Sequence, residues 1–316
     1  MPRAAPQLSI IDEEELARLA TRDDVESRIV ERSGKRWKTR HGPFRAPIES
    51  RRRNWTLLVN GVNLHVRAAE ELLRAFDFVP QARLDDVMVS YATPGGGVGP
   101  HSDSYDVFLL QGPGRRRWRV RGERYVAQPG DLLYLPPGWE HDGVALEPCF
   151  TYSIGFRAPS GAELAAAFLD FLHAKGLPDA TYRDPGLEPA MHPAAIPEPL
   201  VVFAERVLQK IRWSRSDVSQ FLGKLLTEPK AHVVFKSGRA SRPVRSAGVR
   251  LDPKTQLLYY GKRFFMNGEA IAVARGEQAA LRALADRRRL PANRLAPLGA
   301  LIRQWQRSGY LEWETP

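Results

Sequence analysis

Three residues of this sequence have the types and the spacing to hold a metal ion. His101 and Asp103 are separated by one residue and follow a Gly/Pro-rich approach, Gly95-Gly-Gly-Val-Gly-Pro100. In an extended strand the side chains at i and i+2 share a face, so this imidazole and carboxylate can enter one cavity with Tyr105 beside them. A bare His-x-Asp recurs by chance. Here it is followed by Leu135-Pro-Pro-Gly-Trp-Glu-His141, in which a turn delivers a second histidine just beyond a strand. Two histidines and one carboxylate on one face leave three coordination positions free, the donor set of non-haem Fe(II) oxygenases. Fe(II) held by His101, Asp103 and His141 would keep two positions for a bidentate 2-oxo acid and one for O2.

If that acid is 2-oxoglutarate, its distal carboxylate needs a buried cation. Arg116 is the candidate, because a guanidinium fork matches a carboxylate bidentately and Gly112-Pro-Gly114 is expected to fold its strand back beside the ligand strand. Within Arg115-Arg-Arg-Trp118, alternation sets Arg116 on one face with Trp118 and its two neighbours on the other. Upstream, Asp85-Asp-Val-Met-Val-Ser-Tyr91 alternates in the same way: Asp86, Met88 and Ser90 share one face, Val87 and Val89 the other. One of these faces must meet the cavity.

The elements that position these residues are mostly strands. From residue 105 to 157 turn signals recur at Gly112-Pro-Gly114, Arg121-Gly122, Pro129-Gly130 and Pro136-Pro-Gly138, the spacing of a double-stranded β-helix or jelly roll. Before it, the spacing of Leu16, Leu19, Val25 and Ile29 predicts one or two short surface helices in residues 10–33. Residues 36–44 read as a basic, aromatic strand and turn with His41 a loop histidine, residues 55–62 as a strand and residues 66–76 as a helix. After Pro159, Ser160-Gly-Ala-Glu163 forms a capping box that opens a helix. Residues 176–199 are a Pro-rich linker, and helices follow over residues 200–208 and 216–226. Their apolar faces exceed what three short helices bury among themselves, which points to a homodimer.

Residues 228–316 read as a winged-helix-like domain: a hairpin over residues 249–266 turning at Asp252-Pro-Lys-Thr255, helices over 277–288 and 295–307, and a last strand over 310–313. The fold class is therefore α+β. A catalytic jelly roll with N-terminal helices spans residues 1–159, a helical dimerisation segment 160–227, and the winged-helix-like domain 228–316.

The charge is unevenly placed. Residues 201–316 carry 22 Lys+Arg against 9 Asp+Glu, whereas residues 1–200 carry 25 against 27. A basic C-terminal third is compatible with contact to nucleic acid or a ribonucleoprotein, although Arg287-Arg-Arg289 reads as a solvated helix end. The lone Cys149 excludes a disulfide framework and a cysteine zinc site, and fits a reducing cytoplasm. Residues 1–15 lack the pattern of a secretory signal, and no apolar run reaches the ~20 residues that span a bilayer, so no membrane partner is expected. The glycine run before His101 is not followed by Gly-Lys-Ser/Thr, which argues against a phosphate loop.

Several stretches together, Asp85-Asp-Val-Met-Val-Ser-Tyr, Gly95-Gly-Gly-Val-Gly-Pro-His-x-Asp103, Tyr105-Asp-Val-Phe-Leu-Leu-Gln-Gly112, Arg115-Arg-Arg-Trp-Arg119, Leu135-Pro-Pro-Gly-Trp-Glu-His141 and Tyr152-Ser-Ile-Gly-Phe-Arg-Ala-Pro159, closely resemble the bacterial JmjC-type ribosomal oxygenases. The resemblance is dense over residues 50–160 and looser beyond. It implies hydroxylation of an arginine in a large-subunit ribosomal protein, number sixteen, with Fe(II), 2-oxoglutarate and O2. It also implies His101, Asp103 and His141 as iron ligands, Arg116 as the 2-oxoglutarate anchor, and Asp86, Met88 and Tyr105 as the seat of the target arginine. A carboxylate suits a guanidinium, and a thioether and a phenol ring suit its planar faces, although Met88 is equally well read as core. Ser153, on the last strand, is expected to add a hydroxyl to the co-substrate pocket.

Two other readings compete. The same chemistry directed at another residue gives a histidyl hydroxylase or a methyl-lysine demethylase, and Asp86 fits methyl-lysine as well as arginine. A metal-free cupin joined to a winged helix gives a DNA-binding regulator, whose binding would fall steeply with salt.

Overall fold

The computed structural model describes residues 9–34, 36–45, 53–183, 186, 188–237 and 246–314. The first eight residues of the N-terminal stretch discussed above lie outside these. No described helix is long and apolar enough to cross a membrane.

The first half of the chain runs α1 (Glu13–Leu19), β1 (Ser27–Ser33), β2 (Arg36–His41), β3 (Trp55–Val59), α2 (Arg67–Arg74), β4 (Leu84–Ala92), β5 (Val107–Gln111), β6 (Arg116–Val120), β7 (Glu123–Ala127), β8 (Leu132–Leu135), β9 (His141–Ala145) and β10 (Cys149–Phe156). Seven strands form a large antiparallel sheet in the order β2-β1-β3-β4-β10-β5-β8, and three form a small one, β7-β6-β9. This is the expected jelly roll. Because side chains alternate along each strand, the large sheet has two different faces. One carries Leu57, Val59, Val87, Val89, Leu110, Tyr152 and Ile154 into a core closed by α1 and α2. The other faces the small sheet, where Val107 and Leu109 meet Trp118, Val120 and Ala127. The alternation read from residues 85–91 is thus observed, with Asp86, Met88 and Ser90 turned toward the space between the sheets.

Val25 and Ile29 do not continue a helix. The helix ends at Leu19, and Ile29 lies in β1, opposite Leu57 on one side and Arg40 on the other. Cross-strand pairing of the β-branched residues here outweighs a helical spacing built from only four positions.

The chain then forms α3 (Gly161–Lys175), α4 (Glu198–Leu208) and α5 (Arg215–Thr227). The Ser160/Glu163 capping box opens α3 as expected, and Ser214/Asp217 opens α5 in the same way. The C-terminal part holds β11 (Gly248–Leu251), β12 (Leu257–Tyr260), β13 (Arg263–Met266), β14 (Glu269–Ile271), α6 (Gln278–Arg287), β15 (Arg289–Pro291), α7 (Gly299–Arg307) and β16 (Leu311–Glu314). These strands make two small sheets, β15-β11-β16 and β12-β13-β14, over a shared core of Leu251, Phe264, Leu281, Leu284, Ile302 and Trp305. The α5 helix packs on the second sheet, where Gly223 leaves no room for a Cβ against the Phe265 ring.

Two expectations for this region are corrected. The hairpin does not turn at residues 252–255. It pairs β12 with β13 across Gly261, while β11 pairs with β15 and β16. The Asp252 carboxylate instead accepts from the Lys254 amide in a local turn that passes the chain from one sheet to the other. Nor is Arg287-Arg-Arg289 simply a solvated helix end. Arg288 adopts a left-handed conformation and is buried, its Nε 3.1 Å from Glu70 Oε1 on α2, while Arg250 Nη2 lies 2.8 Å from Glu70 Oε2. A buried carboxylate held by two guanidinium groups fixes the C-terminal domain against the jelly roll.

Candidate active site

The space between the two sheets is a cavity of ≈ 240 Å³ that holds every site residue named from the sequence. His101 and His141 meet backbone to backbone: each amide donates to the other's carbonyl, at 3.0 and 2.8 Å. Their rings lie 4.2 Å apart. Each ring is also oriented from behind. The Nδ1 of His101 is 2.9 Å from the Gly99 carbonyl and that of His141 is 3.0 Å from the Trp139 carbonyl. A carbonyl only accepts, so Nδ1 carries the proton in both rings and the Nε2 lone pairs face the cavity, ready to bind a metal. Asp103 Oδ2 lies 3.7 Å from His141 Nε2, and one donor atom from each of the three residues falls within 4.8 Å of the others.

His101 and Asp103 do not, however, share a strand face. His101 makes a single bridge to β9, and Asp103 sits in the irregular segment before β5. The Asp103 carbonyl is pinned at 2.7 Å by the Gly138 amide of the Pro136-Pro-Gly turn, which sets Asp103 and His141 side by side. Burial holds the His141 pKa below the usual histidine value, outweighing the hydrogen bond to Trp139 that favours the charged ring. A neutral imidazole is the ligand form.

Arg116 closes one end of the cavity. Its strand does not fold back beside β5; after Gly112-Pro-Gly114 it crosses to the small sheet and pairs with β9, Arg116 opposite Ala145 and Val120 opposite His141. Alternation along β6 is as expected: Arg116, Trp118 and Val120 are buried, Arg117 and Arg119 exposed. The Arg116 side chain is 5% exposed, and its Nη1 donates to Ser90 Oγ at 3.3 Å. Its buried Nε and Nη2, and the buried Thr151 hydroxyl nearby, have no partner among the described residues. A buried cation with two uncommitted donors is costly unless an anion completes it, and the geometry of Nε and Nη2 is that of a carboxylate fork. Ser153 lies on the same face of β10 as Thr151, opposite Met88 on one side and Leu109 on the other.

The other end is acidic. Asp86 Oδ2 accepts from the Gly61 amide at 2.9 Å and from Lys230 Nζ at 3.3 Å; Asp85 lies 3.3 Å from the same ammonium and 3.4 Å from Arg157 Nε. Burial raises the Asp86 pKa, against the pull of Lys230. Met88 Sδ is 3.9 Å from Arg28 Nη2, and so lies at the cavity rather than in the core. Tyr105, half-exposed at the mouth, has its hydroxyl pushed up to about 12 by burial and by the charges of Asp103 and Asp86, and stays a donor.

Ser90, Thr151, Arg28 and Lys230 also line the cavity, and the sequence assigned them no role there. Ser90 and Thr151 carried a usable signal, since they share strand faces with Met88 and with Ser153. Arg28 was hidden by the helical reading of its segment, and Lys230 arrives from beyond α5 with no local signal. The donor set itself suits Fe(II), and the uncommitted nitrogens of Arg116 suit the distal carboxylate of a 2-oxo diacid.

Comparison with known proteins bears on the domains and the family. Residues 71–128 and 123–164 match the JmjC domain family, and residues 210–312 match the ROXA-like winged helix. The ribosomal protein uL16 3-hydroxylase of Escherichia coli is 36% identical over 299 residues, covering 83% of this chain and 78% of the relative. A probable ribosomal oxygenase of Haemophilus influenzae is 35% identical, over 48% of this chain and 44% of its own length. Among solved structures, YcfD, a ribosomal oxygenase from Escherichia coli, superposes with a TM-score of 0.81 at 34% identity, covering 97% of this chain and 91% of that one. The same protein in complex with cobalt and 2-oxoglutarate superposes at 0.80, with 33% identity and the same coverage. The jelly roll, the winged helix behind it and the His-Asp-His cavity together place this chain in the family of JmjC-type ribosomal oxygenases.

Proposed function

We propose that the chain is an Fe(II)- and 2-oxoglutarate-dependent hydroxylase of an arginine in large-subunit ribosomal protein sixteen, consuming O2 and releasing succinate and CO2. The observation that carries this is the polarity of the cavity: the His101/Asp103/His141 cluster lies between a buried guanidinium with uncommitted donors and an acidic pair. An anion suits one end and a cation the other.

In this reading, His101 and His141 bind Fe(II) through Nε2 and Asp103 through a carboxylate oxygen. Bound there, the metal supplies the oxidising chemistry of the 2-oxoglutarate oxygenases. Arg116 forks onto the distal carboxylate of 2-oxoglutarate, with the Thr151 hydroxyl as a further donor, Ser90 holding the guanidinium in place and Ser153 lining the pocket. Asp86 takes the target guanidinium; Met88 and the Tyr105 ring flank it. Buried walls from both sheets keep bulk water from the reacting carbon. Arginine is favoured over the methyl-lysine and histidine alternatives because Asp86 is a hydrogen-bond acceptor, and a guanidinium brings more donors to it than a methylated ammonium or a neutral imidazole.

The helical segment is proposed to join two copies. The α4 helix buries none of its residues, and Leu200, Val201, Val202, Leu208 and Trp213 are exposed. Work on ribosomes and a single buried thiol both suit the cytoplasm.

The test is intact-mass analysis of purified ribosomal proteins incubated with the protein, Fe(II) and 2-oxoglutarate. A gain of one oxygen on large-subunit protein sixteen is expected. A gain elsewhere would keep the chemistry and remove the target.

A further inference from the structure

The acidic end of the cavity already holds a cation of the chain's own. Lys230 lies three residues beyond the end of α5, and its ammonium lies 3.3 Å from both Asp85 Oδ2 and Asp86 Oδ2. It therefore sits where a target guanidinium would have to dock.

The two carboxylates are not equivalent. Asp85 has a second cation, Arg157, at 3.4 Å, and Arg157 is itself tied back by Nη1 to the Leu226 carbonyl at 2.8 Å. Among the described residues, Asp86 has only the Gly61 amide besides Lys230. If the ammonium swings away, Asp85 stays neutralised and Asp86 is left as a buried acceptor with no counter-charge. Burying a lone carboxylate is unfavourable, so the exchange needs an incoming cation to complete it. Lys230 is 38% exposed, on a flexible four-carbon stem, and can move into water at modest cost; Asp86 is 14% exposed and stays.

We propose that Lys230 is an internal occupant of the substrate's cation seat, displaced by the target side chain, so that it governs how tightly any cationic target binds. This rests on the reading of Asp86 as the target's counter-charge. The proposal gives the C-terminal region a part in capture, since the competing ammonium arrives from beyond α5, the helix that packs on the β12-β14 sheet. An occupant lowers the apparent affinity by the fraction of time the seat is free. That factor is the same for every ligand that needs the seat, so the occupant shifts all cationic targets together without changing their order.

The test compares full-length native protein with Lys230→Met and Lys230→Arg. An arginine-centred peptide from large-subunit protein sixteen and its lysine-centred analogue would be titrated by calorimetry with Mn(II) and 2-oxoglutarate under nitrogen, and KM and kcat measured in air. For Lys230→Met, Kd should fall about five-fold for both peptides, the effect of removing one partly exposed pair, with kcat and the KM for 2-oxoglutarate unchanged. Lys230→Arg should bind both peptides more weakly than native, because a guanidinium holds Asp86 more firmly. An unchanged or weaker arginine-peptide Kd in Lys230→Met would overturn the proposal and show Lys230 to be a support for Asp86. A native protein that never hydroxylates the peptide, alongside a Met variant that still binds it more tightly, would retain the occupant and remove the assigned reaction.

Discussion

The two ends of the cavity treat charge in opposite ways. At one end Arg116 is buried among β4, β6 and β10 with two donors that have no partner among the described residues, an arrangement that suits an anion from outside the protein. At the other, Asp85 and Asp86 are already neutralised by Arg157 and Lys230. In the proposed reading, the difference separates a preformed pocket for a small diacid from a seat for a macromolecular side chain, which must be exchanged into. A small co-substrate has little binding energy to spend on rearranging its site, whereas a protein target brings a larger interface.

This contrast can be broken piece by piece. Removing a shared element between the two ends should have the largest effect: His141→Ala should lower succinate formation with the target at least about a thousand-fold, with both ends still able to bind. Arg116→Met, which keeps the volume and removes the charge, should raise the KM for 2-oxoglutarate about a hundred-fold, read from initial rates at saturating target. Asp86→Asn should raise the target's KM about thirty-fold in the complementary experiment. Acid should mimic that last change. Burial raises the Asp86 pKa, so its carboxylate is protonated at a pH where an exposed one is still charged. The target's KM should therefore rise as pH falls, from a midpoint above the ordinary carboxylate value of about 4, while the KM for 2-oxoglutarate stays flat over that range. Ser90→Ala should have the smallest effect, about three-fold on the KM for 2-oxoglutarate, because it removes only the hydroxyl that steadies Arg116.

Much of this cavity was legible because β-strand alternation is a local property. Once residues 85–91 and 115–119 are strands, the faces of Asp86, Met88 and Arg116 follow from the pleat, whichever strands they pair with. Pairing itself was not legible. The turn at Gly112-Pro-Gly114 looks the same whether β6 folds back on β5 or crosses to the other sheet, and only the closed roll decides between them. Asp103 reached the site for a reason the sequence did not show, the Gly138 amide holding its carbonyl rather than a strand face. Arg288 and Lys230 were misread or missed because their partners, Glu70 and the Asp85/Asp86 pair, lie far away in the chain. A charge near a helix end is solvated by default, and only a tertiary contact reverses that.

The central claim is that the cavity has two independent ends serving two different ligands. The measurement that tests it most directly is the pair of Michaelis constants, for 2-oxoglutarate and for an arginine-containing peptide of large-subunit protein sixteen, determined on Arg116→Met and on Asp86→Asn. The account predicts that each variant raises one constant and leaves the other within about two-fold, in opposite assignments. If Arg116→Met weakens the peptide, or Asp86→Asn weakens 2-oxoglutarate, as much as its own ligand, the division of the cavity described here is wrong.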